Sequence, residues 1–198
     1  MNGSIFLSAS VAIHGREFFD TCHPYQIHTA IRSLLLLTLG RRHIVFGGHP
    51  SITPMVHSAC QNFGIRKIDC VTIYQSEFFK EDFPLENREF ANIRLIPPQE
   101  DLKGSIDSMR EHMLTENRFT VGIFIGGMKG IIDEYNIFRT HFPDAKIVVV
   151  RAGGGASETL PVTTEDPSIQ ALESSREYFS LFTQALEIDP RSERNFAK

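Results

Sequence analysis

The chain has 198 residues, 41% of them hydrophobic, with a formal charge of -4 and a pI near 6.1. That content suits one substantial core, and the mildly acidic balance gives no global attraction to nucleic acid or to membrane surfaces. Three cysteines, Cys22, Cys60 and Cys70, lack metal-ligand spacing and, being odd in number, a complete disulfide framework, so they are read as reduced core thiols. The longest apolar run, Leu34 to Leu37, is far too short for a bilayer, and the N-terminus has no signal-like pattern, which together give the expectation of a cytoplasmic, soluble protein.

In chain order, Ser4 to Ser8 reads as a buried strand, and Ser8, Ala9 and Ser10 at its end are small enough to admit a ligand. After a loop holding His14, Arg16 and Asp20, Pro24 opens a helix with Ile27, Ile31, Leu34 and Leu35 at helical spacing, closed by Gly40. His43 to Phe46 is a second strand. It runs into Gly47-Gly48-His49-Pro50, with Thr53 expected as an N-cap, Pro54 as the first helical residue and Gly64 as the stop. Lys67 to Tyr74 forms a third strand. The aromatic, acidic stretch Gln75 to Phe90 is either a surface helix or a lid or dimer contact.

Asn92 to Ile96 is a fourth strand, ended by Pro97-Pro98. In the next helix Ile106, Met109 and Met113 share a face, and Arg110 lies at its edge, about 40° from Ile106. Val121 to Ile125 then leads into a glycine turn, Gly126-Gly127-Met128-Lys129-Gly130, and a helix whose first turn is expected to carry Asp133 and Glu134. Lys146 to Val150 ends in a third turn, Gly153-Gly154-Gly155. Asp166-Pro167 caps one final helix reaching Leu186, and a polar tail begins at Arg191.

Strands alternating with helices predict an α/β, Rossmann-like, doubly wound and mainly parallel sheet with helices on both faces, as one domain over 1–190 with a tail over 191–198. In such sheets ligands bind beyond the carboxyl ends of the strands, where all three glycine turns fall. Glycine amides there suit phosphate, whereas the paired acids suit sugar hydroxyls or developing positive charge. The pattern points to a nucleotide-like ligand. No HExxH, GxSxG, Walker or kinase signature is present, so neither a metal nor a cofactor is expected, and His49 is the one histidine placed at the candidate site.

Two motifs, FGGHPSITP from Phe46 and FIGGMKGIIDEY from Phe124, resemble those of the SLOG superfamily, the Rossmann-like group that includes the Lonely Guy enzymes, lysine decarboxylase-like proteins and DprA. In the Lonely Guy type a proline and two glycines precede a glycine-threonine pair and a glutamate, and an arginine on the preceding helix completes the site. Ile125 stands where that type has proline, the acid falls at Asp133 or, with one inserted residue, at Glu134, and Arg110 matches the arginine. The motifs are closer to the SLOG domains of bacterial TIR-type nucleotide-signalling defence systems, which bind NAD- or ADP-ribose-derived signals.

The resemblance implies a nucleotide sensor. Its amides at Gly47, Gly48, Gly126 and Gly127 hold phosphate with Arg110, its acids hold ribose, and the signal passes through a homodimer or higher homo-oligomer or to a separate effector protein. A phosphoribohydrolase cleaving nucleoside 5'-monophosphates, with Arg110, Asp133 and Glu134 in catalytic roles, is the alternative. A subunit that keeps the fold without the site is the third reading.

Overall fold

A computed structural model describes residues 3–65 and 68–195. Lys67, the expected start of the third strand, lies outside the described residues, as do positions 196–198 of the tail. Six strands form one sheet: β1 (Ser4–Ser10), β2 (Ile44–Gly47), β3 (Ile68–Ser76), β4 (Phe90–Ile96), β5 (Phe119–Gly126) and β6 (Lys146–Val150). Their order is β4-β3-β2-β1-β5-β6 and every pairing is parallel.

The helices are α1 (Pro24–Thr38), α2 (Thr53–Asn62), α3 (Leu102–Thr115), α4 (Lys129–His141), α5 (Pro167–Ala171) and α6 (Tyr178–Ala185). Strand alternation sends successive side chains to opposite faces. Ile5 and Leu7 therefore join α1, α2, α5 and α6 in one apolar layer with Leu34, Val56 and Phe182, while Phe6 joins α3 and α4 in another with Met113, Tyr135 and Phe138. Helices cover both faces around the middle of the sheet, which is why β1, β2, β5 and β6 read as mainly apolar runs, whereas the edge strand β4 is mixed and partly exposed.

From β1 the chain builds outward through β2 and β3 to β4, then crosses back to lay β5 on the other side of β1. The order thus reverses between β1 and β5, whose carboxyl ends lie side by side with Ser8 opposite Phe124 and Ser10 opposite Gly126. A crevice opens at such a reversal because the two flanking crossovers leave in opposite directions.

Several boundaries differ from the sequence expectation for local reasons. Thr53 is the first residue of α2 and fully buried, with Ile52 as the cap; its hydroxyl donates to the His49 carbonyl at 3.2 Å. Gly126 and Gly127 both have positive φ, so the chain has turned fully by Met128 and α4 starts at Lys129. Asp133 and Glu134 therefore sit in its second turn, beyond the main reach of the helix dipole. The single final helix is instead α5 and α6. Between them Ser175 Oγ accepts from the Glu177 amide at 3.2 Å, a side-chain bond that competes with helical pairing.

The Gln75 to Phe90 stretch extends β3 and then forms two 3-10 turns, Glu77–Asp82 and Leu85–Glu89, leaving Phe78 exposed. The described part of the tail is docked: Arg41 Nε donates to the Ser192 carbonyl at 2.9 Å, and Arg194 donates to the Leu36 and Leu39 carbonyls at the end of α1 while its guanidinium lies 4.2 Å over the Phe63 ring. Arginines at a helix C-terminus satisfy orphan carbonyls and complement the dipole. Among the described residues no helix is long and apolar enough to cross a membrane.

Candidate functional site

A cleft of about 930 Å³ opens at the β1/β5 reversal, lined by Ser8, Ala9 and Ser10 from β1, Gly47 and His49 from the β2–α2 turn, α3, and the first two turns of α4. Its centre is ionic. Arg110, on α3, is only 8% exposed. Its Nε donates to Glu134 Oε1 at 3.2 Å and its Nη2 to the Gly130 carbonyl at 3.3 Å, while Nη1 lies 3.6 Å from Asp133 and 3.7 Å from Asp107. Ser8 Oγ donates to the other oxygen of Glu134 at 2.6 Å.

Local structure sets part of this arrangement. Arg110 and Asp107 are three residues apart on α3 and so share a face, and Asp107 also meets Lys103 one turn earlier at 2.5 Å. The helix N-cap is Asp101, whose side chain accepts from the Gly104 amide at 2.6 Å. Gly130 has a specific role, because a Cβ there would come 2.8 Å from Arg110 Nη2. Its absence lets the guanidinium lie against the helix backbone. Glu134 has both oxygens held, whereas Asp133, with a side chain 43% exposed, is open toward the cleft.

Most of the residues named from sequence meet here: Arg110, Asp133, Glu134, Ser8, Ala9, Ser10, Gly47, His49, Met128, Lys129 and Gly130 all line the cleft. The remaining glycines and Thr53 are set apart from it. Gly48 packs against Ile73 and Gln75. Gly126 gives its amide to Ser157 Oγ at 2.9 Å, and the Gly127 carbonyl accepts from the Ala156 amide at 2.9 Å.

The third turn, Gly153 to Gly155, buttresses the second. A Cβ on Gly154, at φ +66°, would collide with the Thr21 carbonyl, and one on Gly155 would meet the Gly126–Gly127 backbone at 2.8 to 3.0 Å. These glycines pack behind the second turn and do not line the cleft. Sequence reading missed Arg16, Glu17, Asp101, Lys103 and Asp107, all at the cleft. The three-residue spacing of Asp107 from Arg110 was a usable signal. Nothing local marked Arg16, which the β1–α1 loop carries over the opening.

Burial pushes the His49 pKa below its ordinary value, and it pushes His43 in the same direction against an opposing pull from Asp69. Unfolded histidine takes up a proton near pH 6.5, before the folded one does, so their contribution to stability is present above that pH and declines as pH falls toward the folded values. The difference in urea midpoint between pH 7 and pH 5.5 is therefore expected to be smaller in His49→Asn than in the parent protein. An unchanged difference would mean that His49 is not held neutral by burial.

The sequence profile of the SLOG cluster3 family matches residues 17–186. The chain belongs to the SLOG cluster3 family. This SLOG chain has a similar fold to the X-ray structure of TM1055, a Northeast Structural Genomics Consortium target, with a TM-score of 0.52 at 13% identity over 84% of this chain and 88% of that one. No curated protein matches the chain. Family membership supports a nucleotide-related function for the SLOG chain. Ser8, which holds Glu134, lies before the matched stretch.

Proposed function

We propose that the cleft binds a nucleotide-derived ligand, of the NAD, ADP-ribose or nucleoside phosphate type, and that binding is the signal, read by a second copy of the chain or by a separate effector. The observation that carries this reading is the Ser8–Glu134–Arg110–Asp133 constellation at the chain reversal. Carboxylates fixed in this way accept hydrogen bonds from the vicinal hydroxyls of ribose, as acids do in other open α/β sheets. Phosphate belongs at the start of α4, where the Lys129 and Gly130 amides precede the first helical bond, from the Ile131 amide to the Met128 carbonyl, and Lys129 stands at the first helical position. Arg16 faces the same cleft from the β1–α1 loop. Arg110, with carboxylates on three sides, acts in this scheme chiefly by ordering the acids.

The volume of about 930 Å³ is at the upper end for small-molecule sites and favours a ligand with two sugar or phosphate units over a bare mononucleotide. The way Glu134 is held favours a second reading, N-glycoside hydrolysis of nucleoside 5'-monophosphates. In that reaction the C1'–N bond breaks with its electron pair leaving on the base. The carboxylate offsets the oxocarbenium charge, water adds to C1', and the water's proton is lost as the base takes one up.

Thermal-shift titrations with ADP-ribose, NAD and AMP, run beside chromatographic assay for free base, separate the two. A shift without base release is expected, and Glu134→Gln should abolish the shift. Base released from AMP and lost in Glu134→Gln would replace sensing by hydrolysis. Neither shift nor release would leave a fold without a small-molecule site.

A further inference from the structure

At one margin of the sheet, the edge strand β4 carries a row of backbone N–H and C=O groups that no described strand pairs. Three large apolar side chains stand exposed around one residue of its neighbour, Gln75 of β3. Leu95, 47% exposed, is the register partner of Gln75. Asn87, two residues after the 76% exposed Leu85, donates from Nδ2 to Gln75 Oε1 at 2.5 Å. Phe78, 45% exposed, lies in the turn that follows β3, its amide donating to Ser76 Oγ at 3.3 Å. The stretch 77–89, which carries Phe78 and Leu85, has five acids against Lys80 and Arg88, three of the chain's four net negative charges. None of these acids is in an ion pair among the described residues.

We propose that this margin is a docking surface for an extended, basic segment of another protein that carries apolar residues and adds as a strand to β4. The open edge supplies its backbone partners, Leu85, Leu95 and Phe78 receive its apolar side chains, and the unpaired carboxylates meet its lysines or arginines. A second copy of the chain fits this surface poorly, because a two-fold contact sets the same acids against one another.

Docking there also bears on the main cleft. Gln75 is buried, and its Nε2 donates to the Gly48 carbonyl at 3.1 Å, in the turn whose Gly47 and His49 line that cleft. Asn87, 8% exposed, has its Oδ1 without a partner among the described residues, an acceptor that a donor on the docked segment can meet as the turn shifts. Gln75 and Asn87 are thus positioning residues that link the docked strand to the turn at Gly47 and His49. The docking stands whether or not the main cleft holds a nucleotide, whereas the link rests on the proposed nucleotide site.

The probe is a fluorescent peptide of seven alternating valines and threonines, the length of β4, flanked by lysines. Anisotropy is expected to show saturable binding, at least about tenfold tighter than for the same peptide flanked by glutamates. Glu81→Lys with Asp82→Lys should reverse that preference, and both side chains are exposed, so the fold is retained. Leu85→Ser with Leu95→Thr should weaken binding about tenfold. Bound peptide should slow amide exchange at alternate residues of β4 and leave β6, on the opposite margin, unchanged. Saturating peptide should also change the dissociation constant for ADP-ribose, measured by calorimetry, at least about fivefold. An ADP-ribose affinity that ignores the peptide would remove the link. Absence of ADP-ribose binding with or without peptide would take the link down with the nucleotide reading and leave the docking standing. No peptide binding, equal binding of both peptides, or self-association of the chain that Leu85→Ser with Leu95→Thr abolishes would overturn the docking surface.

Discussion

Arg110→Ala is expected to remove the ligand-induced thermal shift entirely and to lower the melting temperature of the ligand-free protein by several degrees. The guanidinium is the only cation within ion-pairing distance of Glu134 and Asp133 among the described residues, and Glu134 is itself largely buried. Removing one partner of a buried pair costs about 3–5 kcal/mol, because the remaining charge loses its compensation. Asp133 and Asp107 are nearly half exposed and can turn to water, so the expected loss is nearer 1–3 kcal/mol, that of a charged hydrogen bond. For a chain of this length that corresponds to a fall of roughly 2–10 °C.

Arg110→Lys should recover part of the stability but little of the binding, since a point charge cannot span Glu134, Asp133 and the Gly130 carbonyl together. A double-mutant cycle between Arg110→Ala and Glu134→Gln checks the origin of the loss, with a coupling of about 1–3 kcal/mol expected. Additive losses would mean that the two side chains act separately, and would remove the constellation on which the functional proposal rests.

Phe138→Ala should be the more damaging change to stability while leaving the composition of the cleft intact. The Phe138 ring is fully buried, stacked on Phe6 at 5.2 Å and within 6 Å of Phe119, Phe124 and Phe142. Gly122, opposite it on β5, has no Cβ because one would approach the ring to 2.7 Å. Truncation leaves a cavity that a sheet and a helix cannot collapse to fill, and costs about 3–5 kcal/mol. Calorimetry or urea unfolding measures the loss. At temperatures where the variant remains folded, its ligand affinity should match that of the parent. Weakened affinity there would show that α4 packing and site geometry are coupled.

The sheet was legible because β1, β2, β5 and β6 are mainly apolar runs, and the turns between strands are marked by Gly and Pro. β6 matches its expected bounds, Lys146–Val150, and β2, β3 and β5 differ by a few residues at their ends. The acids were legible as a pair behind a glycine turn, and Arg110 as a cation at the border of an apolar helix face. The split of the last helix was not, since it rests on Ser175 bonding back to the Glu177 amide, and periodicity ignores such bonds. The docked tail was also hidden, because an arginine's partners are carbonyls far away in the chain.

Sequence alone therefore determined the alternation of strand and helix, the placement of glycine turns at strand ends, and the residue types able to meet a phosphate and a sugar. These are local matters, set by the φ that a glycine permits, by the periodicity that an amphipathic segment repeats, and by side-chain chemistry. Tertiary structure decided which turns line the cleft. The pairing of β5 with β1 brings Ser8, Arg110 and Glu134, from three separated stretches of chain, onto one hollow, and it turns Gly153 to Gly155 inward as packing. That choice depends on contacts between residues far apart in the chain, and no local pattern encodes the distance between Ser8 Oγ and Glu134.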